Sequence, residues 1–204
     1  MPLDSSELFA IEESLHNEAE ELLTRSGVGA ILAAAGYQPV GSYVMRTMTW
    51  RDLDFELQEE EPDWQAQWEV GTQLARTGWF WRMNCVNAHR EPGIERPPGL
   101  YWGLRLSDPE RFNSATGTYP ITWKMDLWRL LPEQKNKLTQ ARDTWASLIT
   151  EEGRARILAI KREVCHTKEY RDTLVSAHIY EAVLECGIRD ANDFREWWRE
   201  KYAG

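Results

Sequence analysis

The hydrophobic and polar positions fall into two regimes that meet near Pro132. From residue 5 to 25, Leu8, Ile11, Leu15, Ala19 and Leu22 recur at steps of three and four, which predicts an amphipathic helix. Ser5 or Ser6 would cap it, and Gly27 follows its end. "VGAILAAAG" (28–36) predicts a second, short helix ending at Gly36, and "QPVGSY" (38–43) a short strand running into a turn. "DLDFEL" (52–57) alternates: Leu53, Phe55 and Leu57 face one way, Asp52, Asp54 and Glu56 the other, as in a half-buried strand. Residues 59–78 predict a helix with Pro62 in its first turn and Trp64 and Trp68 on one face. Further strands are predicted at 79–86, 99–106 and 119–130, with a proline-rich loop between the first two. In the last of these, Ile121, Trp123, Met125 and Leu127 share one face and Thr122, Lys124 and Asp126 the other.

Beyond Pro132 the patterns are helical only, with breaks near Gly153, Thr167 and Gly187. The expected fold class is therefore α+β. A mixed sheet with flanking helices occupies residues 1–131, and a helical unit residues 132–204. The final "DFREWWREKY" predicts a helix docking Phe194 and Trp197 or Trp198 on the bundle. Its adjacent tryptophans point in different directions, which also suits a homodimer contact.

Composition narrows the function. Hydrophobic residues make up 42% and charged residues 28%, a folded and soluble balance. The formal net charge is -9 and no strong basic block exists, so long nucleic acid is a disfavoured partner. A single nucleotide can still bind such a chain through a bridging cation. The N-terminus is acidic and amphipathic rather than secretory, and no apolar run is long enough for a bilayer, so no membrane partner is expected. Cys85, Cys165 and Cys186 are odd in number and widely spaced, which reads as reduced thiols in a cytoplasmic protein. Cys165, His166, His178 and Cys186 lack the close ligand pairs that zinc favours.

The chemistry concentrates in two short stretches. Asp52 and Asp54 project from one strand face and can share hard divalent cations, and Asp126 lies on the polar face of another strand. Three acids drawn together repel unless a cation neutralises them. Gly41 and Ser42 sit where a strand turns into one short helical turn, whose free N–H groups and hydroxyl suit phosphate oxygens.

Strand, Gly41-Ser42, short helical turn, Asp52-Leu53-Asp54, helix and a later strand carrying Asp126 is an order that resembles the polymerase-beta-like nucleotidyltransferase superfamily. Nine residues separate Ser42 from Asp52, which fits that pattern, and a trailing helical unit is common among its small-molecule members. The resemblance covers roughly residues 30–130. It implies that two magnesium ions clamp a nucleoside triphosphate while a hydroxyl of a small molecule or protein attacks the α-phosphorus. Asp52 and Asp54 would then hold both metals, and Asp126 the metal at the attacking hydroxyl, helping to remove its proton. Gly41 and Ser42 would hold the terminal phosphates, with Arg46, Lys124, Arg82 and Arg105 as further phosphate contacts. An acceptor cleft between sheet and helical unit would be lined by Tyr180 or Glu181.

Two residues depart from the pattern. Arg46 stands about where the superfamily often has a glycine, and Arg51 where a small hydroxyl residue commonly precedes the acids. They favour the alternative of a catalytically inactive binding or regulatory protein of the same fold, such as a toxin–antitoxin component. Bland readings also apply: Lys124, Arg82 and Arg105 can simply pair with nearby acids, and Trp64, Trp68, Trp123 and Trp128 read as core rather than as a base-stacking platform.

Overall fold

A computed structural model describes residues 4–61, 63–88, 90, 99–131, 144–170 and 173–202. The first helix, α1, spans Ser5–Arg25. Its cap is Asp4 rather than either expected serine: Asp4 accepts from the Glu7 amide at 2.9 Å while Glu7 reaches back to the Asp4 amide at 3.1 Å. A carboxylate in such a reciprocal box satisfies two orphan N–H groups at once and suits the positive helix end. The buried stripe of α1 is Leu8, Glu12, Leu15, Ala19 and Leu22. After α2 (Val28–Ala34) come β1 (Gln38–Val40) and β2 (Asp52–Gln58).

Helix α3 runs Trp64–Arg76 with Asp63 as its cap; Pro62, expected in its first turn, lies outside the described residues. The hairpin strands β3 (Phe80–Asn87) and β4 (Gly99–Leu106) follow, and then β5 (Trp123–Leu130), which starts four residues later than its alternation suggested. Most of the loop between β3 and β4 lies outside the described residues. The five strands form one mixed sheet in the order β1-β2-β5-β4-β3. Only β2 and β5 pair parallel; the other neighbours are antiparallel.

One sheet face packs against α1, α2 and α3 through Leu53, Phe55, Trp102, Leu104, Trp123, Met125 and Leu127. Trp123 is 1% exposed in that core. Trp64 and Trp68, expected as core, are exposed instead, stacked on each other at 6.2 Å on the outer side of α3. Gln67, Val70, Gly71 and Leu74 face inward, so the two tryptophans fall on the adjoining, unburied part of the helix.

The longer elements of the C-terminal part are helices, joined by turns that include an isolated bridge between Tyr170 and Leu174. Residues 144–148 form a short helical segment, followed by α4 (Glu151–Val164), α5 (Ser176–Leu184) and α6 (Ala191–Tyr202). The helix break expected near Gly153 is present just before it. The break is at Ile149-Thr150, where the Thr150 hydroxyl caps the Gly153 amide at 3.1 Å. Gly153 is buried inside the first turn, where a Cβ would sit 3.3 Å from Leu184. Phe194 and Trp198 dock α6 onto a second core with Ile157, Ile160, Ile179 and Val183. That core also takes in Met45, with Trp50 packed against it, so the helical unit is seated on the segment leading into β2. The proposed boundary near residue 131 adjoins residues 132–143, which lie outside the described set. Among the described residues, no helix is long and apolar enough to cross a membrane.

Candidate functional site

The parallel pairing of β2 with β5 decides the geometry. Its register sets Asp52 opposite Lys124 and Asp54 opposite Asp126. Residues in register on neighbouring strands share a face about 4.8 Å apart, so all three acids and the lysine stand together. Leu53 and Phe55 point into the core beneath, which locks the parity: a slip of one residue would bury the acids and expose both apolar side chains.

The acids are organised around Lys124. Its Nζ lies 3.0 Å from Asp52 Oδ1, 3.1 Å from Asp52 Oδ2 and 2.7 Å from Asp126 Oδ2. Burial alone would lower the Lys124 ammonium, but the charges of Asp52, Asp126 and Asp54 override it and raise its pKa. The bland expectation for Lys124 therefore describes it: it pairs with the acids themselves. Trp50 Nε1 donates to Asp52 Oδ2 at 3.2 Å, and the Tyr101 hydroxyl donates to Asp126 Oδ1 at 2.9 Å. Asp54 accepts no hydrogen bond from a described residue. Burial, and then the charge of Asp52, push its carboxyl up to about 7.

The turn after β1 closes over Asp54. Val40 pairs with Asp54 across the β1–β2 ladder, and Gly41 follows with φ 69. A Cβ at Gly41 would sit 3.0 Å from Asp54 Oδ2, so only a glycine lets the backbone approach this closely. The next residues make a helical turn: the Met45 amide donates to the Gly41 carbonyl at 3.1 Å and the Thr47 amide to the Ser42 carbonyl at 2.9 Å. The amides of Ser42, Tyr43 and Val44 have no partner among the described residues, as at the start of any helical turn.

Arg46 and Arg51 do not intrude on the acids. Arg46 has φ 56, the one positive φ at a non-glycine among the described residues. This is the left-handed backbone that a glycine adopts readily, and its side chain is drawn away to Glu12, 3.1 Å from Nε. Glu12 is fully buried and also meets Arg154 of α4 at 3.6 Å. Arg51 makes a two-pronged pair with Glu18 at 2.7 and 2.9 Å. Burial alone would raise Glu18, but Arg51 and the Trp123 indole hold its carboxyl below the ordinary value. Tyr43 stacks on His16 of α1, with ring centres 4.6 Å apart, and its hydroxyl donates to Glu20.

The helical unit contributes Lys161, which is 1% exposed. Its Nζ donates to the Thr47 carbonyl at 2.8 Å and sits 4.9 Å from the centre of the Trp50 ring. Burial lowers its pKa to about 8, opposed by the charges of Asp52 and Asp54. Tyr180 meets the Thr47 hydroxyl at 2.7 Å and is buried against the turn. Glu181 instead bonds Lys201, because the next helical position is rotated by about a quarter turn. Arg82 and Arg105 face each other across β3 and β4, and Arg105 Nη1 donates to the Leu104 carbonyl. A cleft of 560 Å³ opens between α1 and residues 49–51, lined by Ser14, Glu18, Thr49, Trp50, Arg51 and Thr122.

Three residues of this arrangement escape the sequence reading: Glu12, Tyr101 and Lys161. Glu12 and Lys161 carry a signal, since each is an ionisable residue inside an apolar helical stripe. Tyr101 has the same parity on β4 as Gly103, which pairs with Asp126, but nothing local to the chain says which strand is its neighbour.

Among the described residues, no three His, Cys, Asp or Glu side chains stand as a ready metal cage. The Lys124 ammonium lies between Asp52 and Asp126. The donor chemistry nonetheless suits magnesium: hard carboxylate oxygens, one of them an acid that burial and its neighbours leave without a donor among the described residues. No protein-family model matches this chain, and no curated protein is similar to it.

Proposed function

We propose that this chain is a magnesium-dependent nucleotidyltransferase that moves a nucleoside monophosphate from a nucleoside triphosphate to a hydroxyl of a small molecule or protein. The observation that carries the reading is the pairing of Asp54 with Asp126 on adjacent parallel strands beneath the Gly41 turn. Asp52, Asp54 and Asp126 would hold the two ions. When bound, magnesium neutralises the triphosphate and stabilises the entering and leaving oxygens. The open amides of Ser42 to Val44 receive terminal phosphate oxygens. Asp126 takes the proton of the acceptor hydroxyl. Lys124 bridges Asp52 and Asp126 and holds their carboxylates in place. The cleft beside Trp50 has the volume of a small-molecule site and adjoins Asp52 in the chain, although none of the three acids lines it.

The test is pyrophosphate release from a panel of triphosphates and acceptors, with products weighed by mass spectrometry. Asp54→Asn and Asp126→Asn should each lower turnover by about 100-fold or more. Variants as active as the parent chain would refute the assignment.

A second reading has its own support. Lys124 places a built-in cation between Asp52 and Asp126, where a metal would otherwise balance them. On that reading the chain binds a triphosphate without turning it over and acts as a binding or regulatory protein. Triphosphate binding that persists in a chelator, with no pyrophosphate released under any condition, would favour it over the enzyme.

A further inference from the structure

We propose that Tyr101 is itself an acceptor, so that the chain transfers a nucleoside monophosphate onto its own phenol. This inference rests on the nucleotidyltransferase reading above. Tyr101, Gly103 and Arg105 lie on the β4 face shared with the acids. The register sets Gly103, not Tyr101, opposite Asp126; the residue opposite Tyr101 is Trp128, whose ring centre is 4.5 Å from its own. To meet Asp126 the Tyr101 ring must lean along its strand across Gly103. A Cβ at Gly103 would lie 2.6 Å from the Tyr101 hydroxyl and 3.1 Å from the ring edge, so the missing side chain is what makes the room. The outcome is a 2.9 Å hydrogen bond from Tyr101 to Asp126 Oδ1, within the reach of a general base and its substrate proton. Lys124 holds the other oxygen of the same carboxylate at 2.7 Å, which sets its orientation. The hydroxyl that Asp126 already holds is therefore one of the chain's own.

The step balances without an oxidant or reductant. The Tyr101 oxygen attacks the α-phosphorus of a nucleoside triphosphate, and a new oxygen–phosphorus bond forms. The bond from that phosphorus to the oxygen bridging the β-phosphate breaks, and pyrophosphate leaves with the electron pair. The phenol proton passes to Asp126 and from there to water. The product is a tyrosyl nucleoside monophosphate ester.

The experiment incubates the full chain with magnesium and each common ribonucleoside triphosphate, then records the intact mass. One nucleoside monophosphate adduct, mapped to Tyr101 by fragmentation and absent in Tyr101→Phe, is the expected result. Gly103→Ala, which displaces the ring, should reduce the adduct by about tenfold or more. Calorimetric binding of an α,β-methylene triphosphate should stay within about twofold in Tyr101→Phe, because the phenol stands on the acceptor side. Three results overturn the inference and leave the enzyme reading intact. One is pyrophosphate release with Tyr101 unmodified. Another is an adduct that persists in Tyr101→Phe. The third is faster transfer to an added acceptor by Tyr101→Phe with no adduct in the parent, which would make Tyr101 a cover over Asp126. Absence of both analogue binding and pyrophosphate release overturns both readings.

Discussion

Replacing Asp54 by asparagine should make the metal-free protein more stable. Burial and the charge of Asp52 push the Asp54 carboxyl from 3.8 up to about 7. A carboxyl raised in the folded state is protonated more readily there than in the unfolded chain. Stability is therefore greatest below the unfolded value and declines as pH rises through this window. Below about pH 4 the group is neutral in both states and contributes nothing; above about 7 the full penalty is present. With no screening that penalty is about 4 kcal/mol, and roughly 2 kcal/mol once solvent at the partly open face is allowed for. The Asp54→Asn substitution keeps the shape of the side chain and removes its charge. The melting temperature of this variant at pH 8 should rise by roughly 4 to 8 °C for a chain of this size. Near pH 4 the two proteins should melt together. Millimolar magnesium should then stabilise the parent at pH 8 and close much of the gap, with no such gain in the variant, because a ligand stabilises only the state that binds it. Thermal unfolding by circular dichroism at both pH values, with and without magnesium, reads all of this. An asparagine variant no more stable than the parent at pH 8, or equally stabilised at both pH values, would refute the reasoning.

Lys161→Met should flatten a different stretch of the pH profile. Burial lowers the Lys161 ammonium to about 8, so the folded chain sheds this proton before the unfolded one, and stability rises from about pH 8 towards the ordinary value of 10.5. Urea midpoints at pH 7.5 and 10 should differ less in the variant than in the parent; an unchanged difference would show that Lys161 does not titrate there. Arg46→Gly relieves about 1 kcal/mol of left-handed backbone strain but strips buried Glu12 of one arginine, for a net loss of about 1 to 2 kcal/mol. Adding Glu12→Gln should restore part of that loss, and denaturant titration of the parent and both variants reads it. Gly71→Ala should destabilise by about 1 to 2 kcal/mol despite alanine's better helix propensity, because a Cβ there would overlap the Trp102 ring. A stabilised Gly71→Ala variant would mean that α3 sits farther from the sheet.

What was legible in the sequence was mostly local. Helical stripes and the two-residue alternation of Asp52 to Leu57 are properties of short windows, and α1 and β2 lie where those windows put them. The parity of Asp126 was also local, since Trp123, Met125 and Leu127 need one buried face. That β2 and β5 are neighbours is not. They are separated by α3 and the whole β3–β4 hairpin, and their pairing is set by which apolar faces cover the helices together. The same holds for Tyr101, whose contact with Asp126 exists only because β4 lies on the far side of β5. Gly153 stands near a real break without causing it. A glycine reads as punctuation along the chain, but here it is a packing residue against Leu184, and the true break is the hydroxyl cap just before it.

The two arginines inside the motif change meaning when α1 is considered. A position that needs a left-handed backbone is served most readily by glycine, yet Arg46 adopts φ 56. The strain of about 1 kcal/mol is small beside the charge-assisted pairing with buried Glu12, so the conformation is held by an ion pair instead of by the absence of a side chain. Arg51 follows the same logic through Glu18, and Tyr43 through Glu20. Glu12, His16 and Glu20 are spaced by four residues, so they line one side of α1 and grip the turn along its length. The acids that make the N-terminus read as a merely acidic amphipathic helix are therefore what positions the Gly41 turn over Asp54. Acidity that counts against phosphate binding at the level of net charge is, at these positions, engaged by arginines and a tyrosine, and the Ser42, Tyr43 and Val44 amides of the turn stay without a partner among the described residues.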